Sequence, residues 1–170
     1  GVQTCALPIC DDANQYGFGA NGTGTVILNN GTINMYDNSG SYNSCYWNLN
    51  VPAGGSGRLN ADSRVDCYGA LTGGGTFTFF TPYVRTTLFG NWSAFTGQLS
   101  VVTDSDGGDF RINNSYGYAN AAVDLAANVS AYHLSGGNTP VSLGALSGVA
   151  GAKLSGALWI VGAKNTSPTF

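Results

Sequence analysis

Glutamate is absent from the 170 residues of this chain, and methionine occurs once. Glutamate, lysine and methionine are good helix formers, so their scarcity argues against a helical protein. Valine, threonine, tyrosine and phenylalanine, which favour strands, are frequent, and 26 glycines supply turns. The composition therefore predicts an all-β protein.

Charge is also sparse, because charged residues make up 9% of the chain and the net charge is −3. The arginines and lysines are scattered, so the basic patch that nucleic acids require is missing and we expect no nucleic-acid partner. No apolar run approaches the roughly 18 residues of a transmembrane helix, and we expect no membrane span in this sequence. A neutral surface rich in asparagine, threonine and glycine suits an extracellular protein that meets a polysaccharide or a cell-surface glycan.

A glycine followed by a short alternating apolar strand recurs along the chain. The clear copies are LTGGGTFTFF (Leu71–Phe80), FTGQLSVV (Phe95–Val102), DGGDFRIN (Asp106–Asn113) and LSGALWIVGA (Leu154–Ala163). The pattern at positions 75–77 returns at positions 97–99, and Asn30-Gly31 predicts a tight turn between two strands. Units this short cannot bury their own apolar face, so they predict a stacked β-solenoid with coils of roughly 20–25 residues. A β-sandwich is the alternative.

The N-terminus differs from the rest of the chain. Gly1–Ile9 (GVQTCALPI) resembles the translation of a common sequencing-library adapter, and we predict that residues 1–10 form an artefactual, disordered leader. Composition is uniform afterwards, so residues 11–170 are predicted to form a single β-helix domain. The last residues, NTSPTF, bring no polar cap of the kind that closes a solenoid, and we expect the domain to be truncated at its C-terminus.

Two cysteines remain when Cys5 and Cys10, which belong to the leader or its boundary, are set aside. The interval between Cys45 and Cys67 equals that of the clearest glycine repeat. Positions one coil apart lie about 4.8 Å from each other, within the Cα separation that a disulfide accepts. Two roles stay open: a disulfide between coils in an oxidising compartment, or two buried free thiols in a stacked column. A metal site is not expected, because there is no CxxC motif and the single histidine, His133, is distant.

Four segments carry a family resemblance: DSRVDCYGALTGGGTFTFF (Asp62–Phe80), YVRTTLFGNWSAFTGQLSV (Tyr83–Val101), FRINNSYG (Phe110–Gly117) and LSGALWIVGAKN (Leu154–Asn165). They resemble the β-helical domains of secreted bacterial proteins with autotransporter-associated β-strand repeats, some of which are pectate-lyase-like. The resemblance implies a right-handed parallel β-helix, a location that is extracellular or on the bacterial cell surface, and a carbohydrate-rich setting. It transfers no catalytic residue, because no active-site motif matches these positions.

Arginines recur at spacings near the coil length. Arg64, Arg85 and Arg111 are each separated from the next by about one coil, so a β-helix can place them on one face. Lyases that act on uronates use a base, often arginine, which makes these three the catalytic candidates for a row that holds or deprotonates an acidic sugar. The alternative is surface ion pairing with the nearby aspartates Asp62, Asp66 and Asp109.

Aromatic side chains with polar tips suit contact with sugar rings. Trp92 is the strongest candidate, because it lies between Asn91 and Ser93 in a turn-like segment. Tyr83 and Tyr116 are the other ligand-binding candidates. The alternative for Trp92 is packing in the core or at the end of a coil.

Asp104, Asp106 and Asp109 place three carboxylates in one short loop. Calcium favours oxygen ligands gathered by a flexible loop, so Ca²⁺ is the one cofactor candidate. The loop departs from the EF-hand pattern, because Gly108 occupies the fifth position and no glutamate occupies the twelfth. A solvated acidic turn is the alternative.

Taken together, these patterns predict an exported β-solenoid scaffold with a structural or adhesive role and carbohydrate binding, rather than an enzyme. The alternative is a part of a pectate-lyase-like polysaccharide lyase. Nucleophilic triad chemistry is not expected, because no G-x-S-x-G sequence accompanies His133.

Overall fold

The computed structural model describes residues 3–4, 24–36, 42–62, 64–82, 86–104, 106–114, 117–134, 140–156 and 158–165, which form three parallel β-sheets and no helix. The four-stranded sheet contains β1 (Gln3–Thr4), β2 (Thr25–Ile27), β5 (Asn48–Val51) and β8 (Leu71–Gly73). The six-stranded sheet contains β4 (Tyr42–Cys45), β7 (Arg64–Cys67), β10 (Thr86–Leu88), β12 (Gly108–Ile112), β14 (Val129–His133) and β16 (Lys153–Gly156). The seven-stranded sheet contains β3 (Gly31–Tyr36), β6 (Ser56–Asp62), β9 (Thr76–Phe80), β11 (Gln98–Val102), β13 (Tyr118–Leu125), β15 (Val141–Gly148) and β17 (Trp159–Val161).

The chain winds around an axis and returns to each sheet beside its previous strand. Phe77 in β9, for example, pairs in parallel with Leu99 in β11, one turn of the chain later. Coil length varies, because Asn60 pairs with Phe80 on one side and with the more distant Asn34 on the other. About five stacked coils result, which confirms the predicted all-β solenoid. The parallel pairing excludes the antiparallel β-sandwich, and the right hand of the helix stays a prediction.

Alternation along each strand separates an apolar interior from a polar surface. In β9, Phe77 and Phe79 are buried, whereas Thr76 and Thr78 face outward. Because the strands are parallel and in register, the inward residues of successive coils stack on one another. Burying such a side chain contributes about 1.5–3 kcal/mol relative to leaving it exposed. The core is therefore one apolar column along the axis.

Aromatic rings fill the interior where the four-stranded sheet ends. The last contact of that sheet in the described residues is an isolated bridge between Gly73 and Phe95. Next to it, Trp92 lies edge-on to Phe77 and Tyr118, with ring centroids 5.8 and 5.7 Å away. These rings form part of the buried core.

Glycines at two corners let successive coils stack closely. A Cβ atom on Gly69 lies 1.9 Å from the carbonyl oxygen of Trp47, and one on Gly90 lies 2.0 Å from the carbonyl oxygen of Gly69. Each of these glycines follows an aromatic residue, Tyr68 or Phe89, that comes directly after a strand of the six-stranded sheet. A larger residue at these corners must push two coils apart.

Most of the predicted leader lies outside the described residues. Its residues Gln3–Thr4 form β1, which pairs in parallel with β2. The artefactual origin of the leader, its disorder and the boundaries of the 11–170 domain stay predictions.

Candidate functional site

The outward side of the six-stranded sheet, here called the outer face, carries polar, charged and aromatic side chains in lines. Strand alternation sets this arrangement: Val65 and Cys67 in β7 are buried, so Arg64 and Asp66 point outward. Parallel register then aligns the outward residues of successive strands. One such line, the polar row, consists of Ser44, Asp66, Thr87, Arg111, Tyr132 and Ser155, of which Thr87 is buried.

Three aromatic residues form a second line on this face, the aromatic ladder of Tyr46, Tyr68 and Phe89. Neighbouring ring centroids are 4.8 and 4.7 Å apart, and both pairs have an interplanar angle of 7°. Backbone hydrogen bonds of 2.8 Å fix the positions of these residues along the solenoid axis. The N–H of Tyr68 donates to the carbonyl of Cys45, and the N–H of Phe89 donates to that of Cys67. Tyr46 and Tyr68 are 49% and 41% exposed, so the ladder is a surface feature.

The stacking determines which part of each ring a ligand meets. Tyr68 has one ring face against Tyr46 and the other against Phe89, and therefore presents its edge and hydroxyl to solvent. Burial first, and then the negative charge of Asp66, raises the pKa of Tyr68. The phenol therefore stays protonated to a higher pH than usual and can donate a hydrogen bond. The ladder thus offers ring edges and hydroxyl groups in a line along the solenoid axis.

The charged groups of the polar row have close neighbours. Nη2 of Arg111 lies 2.5 Å from Oδ2 of Asp109, and the guanidinium carbon of Arg111 lies 5.9 Å from the centroid of the Tyr132 ring. Burial raises the pKa of Asp66, and a hydrogen bond from Thr87 opposes that rise. The row therefore combines a carboxylate, a guanidinium and several hydroxyl groups, which together can donate hydrogen bonds to the hydroxyl groups of a sugar and accept them.

The predicted catalytic arginines are brought together only in part. Arg64 and Arg111 share the outer face but lie on neighbouring lines, because Arg111 belongs to the polar row and Arg64 precedes Asp66 of that row by two positions. Arg85 lies outside the described residues. Arg111 forms the ion pair with Asp109 that the sequence offers as the alternative role. The catalytic role of these arginines stays a prediction.

The structure places Trp92 in the core rather than on the surface. Its side chain is 1% exposed, packs edge-on against Tyr118 and donates its indole N–H to the carbonyl oxygen of Gly69 at 3.1 Å. A sugar cannot reach this ring, so the packing alternative describes Trp92 and the sugar-contact role does not. The other two ligand-binding candidates, Tyr83 and Tyr116, lie outside the described residues.

None of the three ladder residues is among the ligand-binding candidates predicted from the sequence. The signal for two of them is the dipeptide Cys-Tyr, which occurs at positions 45–46 and again at 67–68. Phe89 follows Tyr68 by about one coil, and glycine comes next in both cases. An aromatic residue before a corner glycine, repeated at the coil length, therefore marks Tyr68 and Phe89, and the repeated Cys-Tyr dipeptide marks Tyr46.

The carboxylates of Asp104 and Asp109 in the acidic loop have different hydrogen-bond partners. The backbone N–H of Asp106 donates to the carboxylate of Asp104 at 3.0 Å, whereas Asp109 in β12 pairs with Arg111. Among the residues that the structure describes, no group of three or more His, Cys, Asp or Glu side chains is arranged to hold a metal ion. The Ca²⁺ site stays a prediction, and the carboxylate of Asp109 already forms an ion pair with Arg111.

Cys45 and Cys67 are register partners in β4 and β7, and both side chains are buried. Both are free thiols in this structure. The hydrogen bond between the two thiols, together with burial, raises the pKa of Cys67 well above its usual value. Register pairing and burial are compatible with either role, so the disulfide stays a prediction.

Comparison with known proteins adds no relative to this picture. No protein-family model, no curated protein and no solved structure gives a significant match to the chain. Within the described ranges, no helix has the length and hydropathy needed to cross a membrane. The fold is shown by the structure alone, and the resemblance to secreted bacterial β-helical domains stays a prediction.

Proposed function

We propose that this chain is an exported, extracellular β-solenoid scaffold that binds a carbohydrate through its outer face. The observation that carries the proposal is the ladder of Tyr46, Tyr68 and Phe89, whose two tyrosines are exposed, beside the polar row. Aromatic groups with hydroxyl tips and a line of polar side chains are the two components that sugar recognition combines. Both components lie on the same side of one sheet.

The shape of the outer face favours an extended polysaccharide over a single sugar. Its lines run along the solenoid axis, and each coil adds one position about 4.8 Å from the last. Because Tyr68 presents its edge and not its ring face, it does not form a stacking platform by itself. Contacts spread along several coils suit a linear chain of sugar units.

The ion pair between Arg111 and Asp109 favours a binding role for this chain over cleavage of a polysaccharide. A lyase of the pectate-lyase type needs an arginine that is free to take a proton from the sugar. Arg111 is instead held by the carboxylate of Asp109 at 2.5 Å and lies over Tyr132. An arginine so held can donate hydrogen bonds to a ligand but is a poor proton acceptor.

A glycan array of plant, algal and host polysaccharides tests the proposal, with Tyr68→Ala as the diagnostic variant. We expect binding to at least one polysaccharide and a loss of affinity of about tenfold or more in the variant, which corresponds to about 1.4 kcal/mol. Phe80→Ala is the matched control, because Phe80 lies on the outward side of the seven-stranded sheet against Arg58. Its affinity should equal that of the unchanged chain.

Two results contradict the proposal. One is an array on which the chain binds no polysaccharide. The other is a bound polysaccharide whose affinity falls equally in Tyr68→Ala and Phe80→Ala, because the site is then not the outer face.

A further inference from the structure

We propose that Cys45 and Cys67 form a disulfide between two adjacent coils and that this bond holds the aromatic ladder of the outer face in register. The two residues are direct register partners at the ends of β4 and β7. Both are almost fully buried, with 3% and 2% exposure, so both side chains point into the solenoid. The inference stands independently of carbohydrate binding.

Strand geometry supports the bond. Neighbouring parallel strands lie about 4.8 Å apart, and disulfides join Cα atoms separated by about 4.4–6.8 Å. In parallel strands the two Cα–Cβ bonds leave in the same direction, so Cys45 and Cys67 present their sulfur atoms side by side. The register pairing and the burial of both side chains place the two thiols next to each other. In disulfides the Cβ atoms lie about 3.5–4.5 Å apart, and bond formation brings those of Cys45 and Cys67 to that separation.

The bond and the ladder belong to the same pair of coils. Tyr46 follows Cys45 directly and Tyr68 follows Cys67, so each cysteine points inward next to a tyrosine on the surface. The backbone N–H of Tyr68 donates to the carbonyl of Cys45 at 2.8 Å. A covalent link at this position prevents the two coils from sliding, which keeps the tyrosine rings stacked at 4.8 Å.

Burial indicates when the bond forms. The folded environment raises the pKa of the Cys67 thiol, and thiol–disulfide exchange requires a thiolate, so the reaction belongs to the folding stage. One cysteine thiolate attacks the disulfide of an external oxidant of the thiol–disulfide oxidoreductase class, and a mixed disulfide forms. The second thiolate then displaces the oxidant. The two thiols lose two protons and two electrons in total, and the oxidant is reduced to two thiols.

Alkylation under denaturing conditions tests the bond. The full chain, with Cys5→Ser and Cys10→Ser to remove other thiols, is produced in an oxidising compartment and unfolded in iodoacetamide without reductant. We expect no alkylation of either cysteine and a linked pair of peptides that contain Cys45 and Cys67. Complete alkylation of both cysteines overturns the proposal.

A second measurement tests the role of the bond at the outer face. Reduction of the same protein should lower its Tm by about 6–12 °C, as loss of a disulfide that closes a loop of this size implies. It should also weaken the near-ultraviolet circular dichroism of the stacked tyrosines. The control, Cys45→Ala with Cys67→Ala, should show no response to reductant. A linked chain whose Tm and tyrosine signal do not change on reduction contradicts the role in holding the ladder.

Discussion

A buried side chain supports the exposed tyrosines at the corner beside the outer face. Trp92 donates its indole N–H to the carbonyl oxygen of Gly69, the residue that follows Tyr68. That hydrogen bond and the edge-on contact with Tyr118 fix the corner from inside, and Tyr68 is thereby held where it stacks on Tyr46. Trp92 therefore contributes to the outer face through position and not through contact with a ligand.

His133 gives the stability of the protein a pH dependence. Its side chain is buried edge-on to Trp159, and burial lowers its pKa. The unfolded chain takes up a proton near pH ~6.5, where the folded chain does not, so lowering the pH from about 7.5 to about 5 favours unfolding. Urea denaturation should show the free energy of unfolding falling by at most about 1.4 kcal/mol per pH unit from this group.

His133→Gln is the control for the pH effect, because it removes the titrating ring and keeps a polar side chain. The fall in stability between the two pH values should be smaller in this variant. Equal falls in the two proteins contradict the role of His133. Asp66 acts in the opposite direction and at lower pH, because burial raises its pKa and its protonation favours the folded chain.

At the scale of elements, glycine sets the distance between coils at the corners. Gly69→Ala places a Cβ atom 1.9 Å from the carbonyl oxygen of Trp47, a backbone atom that cannot turn away. We expect the free energy of unfolding to fall by about 3 kcal/mol. Urea denaturation measures that loss, and near-ultraviolet circular dichroism should show weaker stacking of Tyr46 on Tyr68.

Gly24→Ala is the matched control for the corner, because a Cβ atom on Gly24 meets no atom within 4 Å and its φ is not positive. Its stability should stay within about 0.5 kcal/mol of the unchanged chain. Similar losses in the two variants mean that the close approach of the coils does not explain the glycine at position 69.

Strand type and approximate coil length could be predicted from the sequence, because both depend on local patterns. The predicted turn at Asn30-Gly31 is an example: it separates β2 from β3, and Asn30 has a φ of 62°. The neighbours of each side chain could not be predicted, because the coils differ in length from one to the next. Arg111 aligns with Asp66 across two coils, so Arg64 falls on the neighbouring line despite its suggestive spacing.

Over the whole molecule, parallel stacking converts short local patterns into long lines. The polar row spans the six strands of its sheet, and each strand supplies one of its members. Each coil contacts mainly its neighbours, which is the arrangement of repeat proteins with extended binding surfaces. The same register brings Cys45 to Cys67 and Tyr46 to Tyr68.

The account depends above all on this parallel register, and nuclear Overhauser effects in isotope-labelled protein measure it directly. We predict cross-strand contacts between the backbone protons of Thr78, Ser100 and Asp124, in the order and spacing of a parallel ladder. Strong contacts between opposing α-protons, which close antiparallel pairs produce, contradict the account. With antiparallel pairing, neither the aromatic ladder nor the polar row exists.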